Sequence, residues 1–238
     1  MRDTDLDWQK IAETTPYFGV FTKPEYVNPT PEALRELFKS GEVDIAHYLS
    51  MLRHVFGVFE PKSALDFGCG VGRLTIPLAK AAGRATGIDV ADGMIALARK
   101  HCAEARVAVE FYKSIPADQK FDWVNSHIVL QHIPPARGYD ILGDLWRCVA
   151  PGGAFNVHVT IYRDARHQGE LTRELRVCRF DGDTAVNYGQ SDWESQQISM
   201  YDYDLSRVLS CLDGNDALYM ERVDHGGCHG VRIYARKK

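Results

Sequence analysis

Three glycines at alternate positions, Gly68, Gly70 and Gly72, are the residues with the clearest chemical use in this sequence. A short apolar run at 64–67 precedes them, and apolar residues at helical spacing follow. This order predicts a buried parallel strand, a tight turn and the start of a helix. Glycine lets a ligand approach the main chain, and free N–H groups at a helix start favour negative charge. The turn therefore predicts a site for a nucleotide-like ligand.

Two carboxylates accompany the glycine turn. Asp66 lies two residues before the first glycine, and Asp89 ends the next predicted strand, where a carboxylate that binds a ribose diol is expected. Arg73 stands where a dinucleotide fingerprint has its third glycine, which disfavours a nicotinamide cofactor. The pattern Asp-x-Gly-x-Gly-x-Gly, with the later acidic residue, resembles the class I S-adenosylmethionine-dependent methyltransferases. The resemblance covers roughly residues 62–162 and resumes near the C-terminus.

This resemblance implies S-adenosylmethionine as cofactor and S-adenosylhomocysteine as its product. In related methyltransferases the loop after the third strand borders the adenine, which adds two residues to the expected site. The residues expected to bind the cofactor are Asp66, Gly68, Cys69, Gly70, Arg73, Asp89, Val90, Met94, Ser114, Ile115 and Ser126.

The order of the predicted elements indicates an α/β, Rossmann-like fold in a single domain. A seven-stranded, mostly parallel sheet has helices on both faces and ends in a C-terminal antiparallel hairpin, as the resemblance also implies. We expect residues 1–60 to form a helical cap, 61–162 the cofactor-binding core, 163–200 an insertion, and 201–238 the last helix and the hairpin.

The cap is predicted to contain two helices between residues 30 and 56. Thr30 has the side chain of an N-cap, and Pro31 suits the first helical position. This helix is expected to end near Gly41, and the second to begin at Asp44.

Histidines near the ends of the fourth and fifth strands are the candidate catalytic groups. His132 lies in a Leu-x-His-Ile-Pro pattern, and the resemblance implies either a general base or a residue that only orders the loop. His127 is a weaker candidate base that could instead shape the cofactor pocket. His158 lies between Val157 and Val159, which favours a core histidine with satisfied hydrogen bonds.

Four further residues are candidates for contact with the substrate. Tyr17 and Tyr26 in the cap could face the site, although packing in the core explains them as well. Arg163 and Arg166 begin an arginine-rich insertion that could cover the acceptor as a lid and bind an acidic group. The alternative interpretation of this insertion is a solvated helix face, because acidic residues are interleaved with the arginines.

Composition narrows the class of protein. The formal net charge of −4 gives no electrostatic reason to expect nucleic acid as a partner. Six dispersed cysteines indicate reduced thiols and a cytoplasmic protein, and no apolar run reaches membrane-spanning length. The cluster at 224–230 has no trusted metal spacing, so no metal is expected. The sequence leaves open whether the protein forms a homodimer.

The sequence therefore predicts a methyltransferase with a small-molecule acceptor. The leading hypothesis is O-methylation of a hydroxylated metabolite such as a sugar or glycan precursor. The alternatives are methylation of a small amine, a nucleotide-dependent oxidoreductase, and a catalytically idle subunit that binds the cofactor.

Overall fold

A computed structural model describes residues 4–164, 176–180, 183–187 and 200–238 of the chain. Its main sheet has the strand order β3-β2-β1-β4-β5-β10-β9, with β1 to β5 parallel and β10 antiparallel to both neighbours. The predicted seven-stranded sheet with a terminal antiparallel hairpin is thus confirmed. The strands are β1 Ala64–Phe67, β2 Ala85–Ile88, β3 Val109–Tyr112, β4 Phe121–Ser126, β5 Val149–Arg163, β6 Arg176–Phe180, β7 Asp183–Asn187, β8 Met200–Tyr201, β9 Asn215–His225 and β10 Cys228–Lys237.

Helices cover both faces of this sheet, as predicted. Side chains of successive strand residues point to opposite faces, so Leu65 packs in one apolar cluster and Ala64 in the other. The helices α6 and α7 contribute to the first cluster, whereas α3 and α4 contribute to the second. The helices are α1 Thr4–Thr14, α2 Pro16–Val20, α3 Pro31–Phe56, α4 Thr75–Ala82, α5 Asp92–Glu104, α6 Pro135–Cys148 and α7 Leu205–Ser210.

The cap departs from the sequence prediction at Gly41. Thr30 does cap α3, since its hydroxyl accepts from the Ala33 amide at 3.2 Å, but the helix continues through Gly41 to Phe56. The predicted break is therefore wrong. A Cβ at position 41 would lie 2.2 Å from the Arg73 carbonyl oxygen. The glycine serves the close approach of α3 to the glycine turn rather than the end of a helix.

The insertion contains a second, small sheet of order β6-β7-β8. Residues 176–180 and 183–187 form antiparallel strands, so the interpretation of this segment as a helix face is wrong for them. Arg166 lies outside the described residues. Among the helices that the structure describes, none combines the length and the apolar character that crossing a membrane requires.

Candidate functional site

A cavity of about 910 Å³ opens beyond the carboxyl ends of β1, β2 and β4. Strand order reverses between β1 and β4, where open parallel sheets bind ligands. The cavity volume is near the upper end of the usual range for ligand pockets, which suits two ligands side by side. The sequence-predicted residues that line it are Asp66, Gly68, Cys69, Gly70, Arg73, Asp89, Val90, Met94, Ser114, Ile115, His127 and His132.

The glycine turn has the backbone conformation that its sequence predicts. Gly68 and Gly70 have φ angles of +73° and +52°. A Cβ at Gly68 would lie 2.2 Å from a methyl of Val129, whereas one at Gly70 would approach only Val20, at 3.1 Å. The main chain at Gly70 is therefore open toward the cavity. A larger side chain at this position would occupy the space that a ligand needs.

Asp89 closes the turn from the end of β2. Its carboxylate accepts from the Gly70 amide and from the Ala91 amide, each at 2.9 Å. Burial raises the pKa of this carboxyl, and the two backbone donors oppose the shift. A carboxylate offers about four lone-pair sites, so it can also accept from a ligand's hydroxyls.

A chain of buried hydrogen bonds, here called the polar ladder, runs beneath the glycine turn. Asn125 Nδ2 donates to Asp66 Oδ1 at 2.7 Å, and Thr75 Oγ1 donates to Asp66 Oδ2 at 2.6 Å. On the other side, Asn156 Nδ2 donates to Asn125 Oδ1 at 3.0 Å, and Trp123 Nε1 donates to Asn156 Oδ1. Burial raises the pKa of Asp66 to about 6, and the bonds from Thr75 and Asn125 oppose the shift.

Arg73 reaches the cavity wall, but its guanidinium is used within the protein. Nη1 contacts Asp44 Oδ2 at 2.5 Å and Ser40 Oγ at 3.1 Å, both on α3. This ion pair fixes the cap against the glycine turn. The departure from the dinucleotide pattern at position 73 thus has a structural use.

The loop after β4 enters the cavity in a strained conformation. Ile128 has a φ of +56°, which is rare for a β-branched residue. Such strain costs about 1–3 kcal/mol and concentrates at functional sites. The strained backbone at Ile128 places the neighbouring residues His127, Val129 and Gln131 on the cavity wall.

His132 lies on the cavity wall between α1 and Gln131. Its ring meets the Trp8 ring edge-on, with centroids 5.2 Å apart, and its Nε2 lies 3.1 Å from Gln131 Nε2. Gln131 Oε1 in turn contacts His225 Nε2 at 3.0 Å and Thr160 Oγ1 at 2.9 Å. A single amide therefore links two cavity histidines to the sheet.

His127 is held from behind by two residues. Arg232 Nη2 lies 2.8 Å from its Nδ1, and Tyr48 Oη lies 3.3 Å from the same atom. Burial, followed by the Arg232 charge, lowers the pKa of His127 well below its usual value. A guanidinium has only donors, so the lone pair of His127 Nδ1 must accept this bond. That lone pair is therefore not available to take a proton from a substrate. The geometry argues against His127 as a base.

Four of the predicted residues do not contribute to the cavity wall. Ser126 is buried in β4, and Tyr26 packs against Phe21 in the cap. Tyr17 bonds to His101 Nε2 at 2.9 Å, away from the cavity. Arg163 is buried and paired with Asp202 through two bonds of 3.0 and 3.2 Å, so its charge is neutralised inside the fold rather than offered to a substrate.

The prediction for His158 is half wrong. The side chain is buried in the core, but neither ring nitrogen has a hydrogen-bond partner among the described residues. Burial lowers the pKa of this histidine well below its usual value, so the ring is neutral. His127 and His225 lie near it, with ring centroids at 6.0 and 5.5 Å.

Two segments close the cavity with residues that were not predicted as site residues from the sequence. Helix α1 brings Asp5 and Trp8 to the wall, and the tip of the hairpin brings His225 and Cys228. The aromatic start of α1 and the histidine-rich turn at 224–230 are the signals that could have indicated these contacts. Among the residues that the structure describes, no three His, Cys, Asp or Glu side chains converge as metal ligands do.

Helix α1 is fastened on both sides of the cavity. Asp5 forms two bonds of 2.8 Å with Arg137 at the start of α6. Gln9 donates to the Val90 carbonyl at 2.7 Å and accepts from the Asp92 amide at 3.2 Å. The helix therefore lies as a strap between the β2 end and the β4 end of the site.

Fold and site together define a class I methyltransferase domain: a seven-stranded sheet with a terminal antiparallel hairpin, a glycine turn after β1 and a carboxylate after β2. Residues 64–153 match the family model described as "Methyltransferase domain". This part of the chain is therefore similar to a methyltransferase domain, and the sheet that contains it has the fold of the class I type.

Curated relatives match only part of the chain. A ubiquinone biosynthesis O-methyltransferase from Hydrogenovibrio crunogenus is 34% identical over 126 residues, which are 48% of this chain and 51% of the relative. One of the same name from Paramagnetospirillum magneticum is 36% identical over 112 residues, 45% of this chain and 44% of the relative. The chain spans about half the length of the curated relatives it matches.

Solved structures match the fold over nearly the whole chain. Magnesium protoporphyrin IX methyltransferase from Synechocystis, with bound S-adenosylhomocysteine, aligns with a TM-score of 0.63 and 16% identity, covering 99% of this chain and all of that one. The PH0226 protein from Pyrococcus horikoshii aligns with a TM-score of 0.63 and 20% identity, covering 93% and 98%.

Proposed function

We propose that this protein transfers the methyl group of S-adenosylmethionine to an oxygen atom of a small acceptor. The observation that carries the proposal is the continuity of one cavity, which has the glycine turn and Asp89 on one side and His132 on the other. The names of the curated relatives support O-methylation. They give no support to a sugar or glycan precursor, and that expectation is withdrawn.

The residues at the glycine turn fit the cofactor. The open main chain at Gly70 would accept its amino-acid portion, and the remaining lone pairs of Asp89 would accept its ribose hydroxyls. Ser114 and Ile115 on the cavity wall would flank its base. When bound, the cofactor supplies an electrophilic methyl group on a sulfonium, a leaving group that needs little assistance.

The acceptor side of the cavity must position the acceptor and remove its proton. Holding the acceptor oxygen in line with the methyl group can supply on the order of 7–11 kcal/mol of the barrier reduction. In the proposed reaction the acceptor hydroxyl would displace the Gln131 amide, which donates to His132 Nε2, and this nitrogen would then take the hydroxyl proton. Such general-base assistance contributes roughly 10²–10⁴-fold. Trp8 holds the imidazole in place, and the Gln131 amide occupies Nε2 until the acceptor binds.

Calorimetric titration with S-adenosylhomocysteine tests the cofactor assignment. We expect a dissociation constant of about 1–10 μM and, because two charge-assisted bonds are lost, a weakening of about 100-fold in Asp89→Ala. Asp92→Ala is the matched control, since this nearby carboxylate is exposed and pairs with Lys113. Binding of NADH with no binding of S-adenosylhomocysteine would contradict the proposal.

A further inference from the structure

Arg232 is a buried arginine that acts on the cavity through another residue. It lies on β10, 3% exposed, and does not belong to the cavity wall. Its guanidinium covers the Tyr48 ring, with Cζ 3.9 Å from the ring centroid, and Nη2 lies 2.8 Å from His127 Nδ1. His127 stands between this charge and the cavity.

The contact fixes the tautomer of His127. A guanidinium has donors and no acceptor, so Nδ1 must accept the bond and carries no proton. The ring is neutral at pH 7, since burial and the Arg232 charge lower its pKa. A neutral imidazole without a proton on Nδ1 has it on Nε2. The free edge of His127 is therefore a hydrogen-bond donor.

The charge of Arg232 is not cancelled within the described part of the chain. No carboxylate there lies within ion-pair distance of it, and Nη1 is buried without a hydrogen-bond partner. Glu221 faces Arg232 in the strand register but accepts from Tyr234 Oη at 2.9 Å and contacts His47 Nε2 at 2.9 Å. A fixed positive charge thus lies behind a donor at the cavity.

Other groups around His127 are neutral or already paired. His158 and His225 contribute no anion, Arg73 is paired with Asp44, and Tyr48 is an un-ionised phenol whose pKa burial raises. The electrostatic potential at His127 is therefore positive. A neutral hydroxyl bound there would not compensate the charge of Arg232, whereas an anionic oxygen would.

We propose that Arg232 is a positioning residue that locks His127 in its Nε2–H tautomer, and that His127 thereby binds an anionic oxygen of the acceptor, phenolate or carboxylate, other than the hydroxyl oxygen that receives the methyl group. The identity of the ligand as the methyl acceptor rests on the proposed function. The tautomer does not, so the two can fail separately.

Nitrogen NMR of ¹⁵N-histidine-labelled protein, full length and with S-adenosylhomocysteine, tests the lock directly. The signal of His127 is the one of nine histidines that disappears in His127→Gln. At pH 7.5 we expect its Nδ1 unprotonated and its Nε2 protonated. A proton on Nδ1 in the wild-type protein overturns the proposal, even if every variant fails to fold.

Two variants show whether Arg232 or Tyr48 fixes the tautomer of His127. Arg232→Met removes the donor and should give a mixture of both tautomers, whereas Tyr48→Phe removes only the 3.3 Å contact and should keep the Nε2–H form. An unchanged tautomer in Arg232→Met, or its loss in Tyr48→Phe alone, would assign the lock to another group and overturn the role of Arg232.

Paired probes test the oxyanion. Benzoate against benzamide, and pentafluorophenolate against hexafluorobenzene, are titrated into the protein at pH 7.5. We expect at least one anion to bind about tenfold more tightly than its neutral partner, with the preference lost in Arg232→Met. The anion that is preferred distinguishes carboxylate from phenolate. No preference in either pair overturns the oxyanion site.

A pair of substitutions at His127 tests whether a donor at the position of Nε2 is enough to bind the anion. The amide of Gln reaches the position of Nε2 and keeps a donor there, whereas Asn reaches only the position of Nδ1. His127→Gln should retain the preference for the anion and His127→Asn should lose it. Equal loss in both would assign His127 a purely structural role and contradict the proposal.

Discussion

Two buried polar regions lie under the same cavity and differ in how completely they are hydrogen-bonded. In the polar ladder, each side-chain contact from Trp123 to Asp66 joins a donor to an acceptor. In the cluster of His127, His158 and Arg232, three buried nitrogen atoms have no described partner: Arg232 Nη1 and both ring nitrogens of His158.

The difference separates structural support from binding capacity. A fully bonded buried network costs several kcal/mol to disturb, because each severed bond leaves a desolvated group unpaired. A region with unpaired polar groups contributes less to stability, and the member of this one that faces the cavity is His127. We expect damage to the ladder to lower stability, and damage to the histidine side to lower function.

The largest expected effect is on turnover. His132→Ala should reduce methylation of an alcohol acceptor by about 10²–10⁴-fold, because the proton acceptor is lost, while S-adenosylhomocysteine affinity stays within about twofold. Initial rates at saturating cofactor measure it. The control is His54→Ala, an exposed histidine on α3. Unchanged turnover would reassign His132 to ordering the loop.

The next effect is on stability. Asn125→Ala should lower the free energy of unfolding by about 3 kcal/mol, because Asp66 Oδ1 loses its donor and Asn156 Nδ2 its acceptor. Urea unfolding followed by circular dichroism measures the change. A loss below about 1 kcal/mol would mean that the ladder is not a stabilising network.

A pH dependence of similar or smaller size follows from Asp66. Its pKa rises from 3.8 to about 6 on folding, so between these values the native state holds a proton that the unfolded chain has released. The free energy of unfolding therefore falls as pH rises through this range, by about 1–3 kcal/mol.

The Asp66→Asn variant isolates this contribution. It lacks the titrating group, so the difference between wild type and variant should show the fall while other carboxylates cancel. Urea unfolding at pH 4, 5, 6 and 7 measures it. A difference that stays flat, or rises with pH, contradicts the assignment.

The smallest effect is expected at His158. His158→Leu removes a buried polar side chain that has no described partner, so no hydrogen bond is lost and the burial cost of two nitrogens disappears. The free energy of unfolding should change by less than about 1 kcal/mol in urea melts. A loss as large as that of Asn125→Ala would erase the distinction between the two regions.

Local signals were enough to predict the sheet and the glycine turn. The spacing of Gly68 and Gly70 and the position of Asp89 follow from short-range rules about strands, turns and helix starts, and the structure places all three on the cavity wall. The N-cap at Thr30 belongs to the same class.

Contacts between distant segments could not be predicted in the same way. Gly41 has the sequence signature of a helix end, but its role depends on Arg73, which lies 32 positions away. Arg163 reads as a free basic residue until Asp202 is placed beside it. Arg232 gave no signal, because only the hairpin register brings it behind His127.

The strap formed by α1 has a consequence for the kinetics of ligand exchange. Gln9 holds the strap at Val90 beside the cofactor side of the cavity, and Trp8 holds it at His132 on the acceptor side. Trp8 and Gln9 are consecutive residues of one helix, so the helix cannot give up one of these contacts without loosening the other. Arrival of one ligand and departure of the other would then share a single opening step, so their rates rise and fall together.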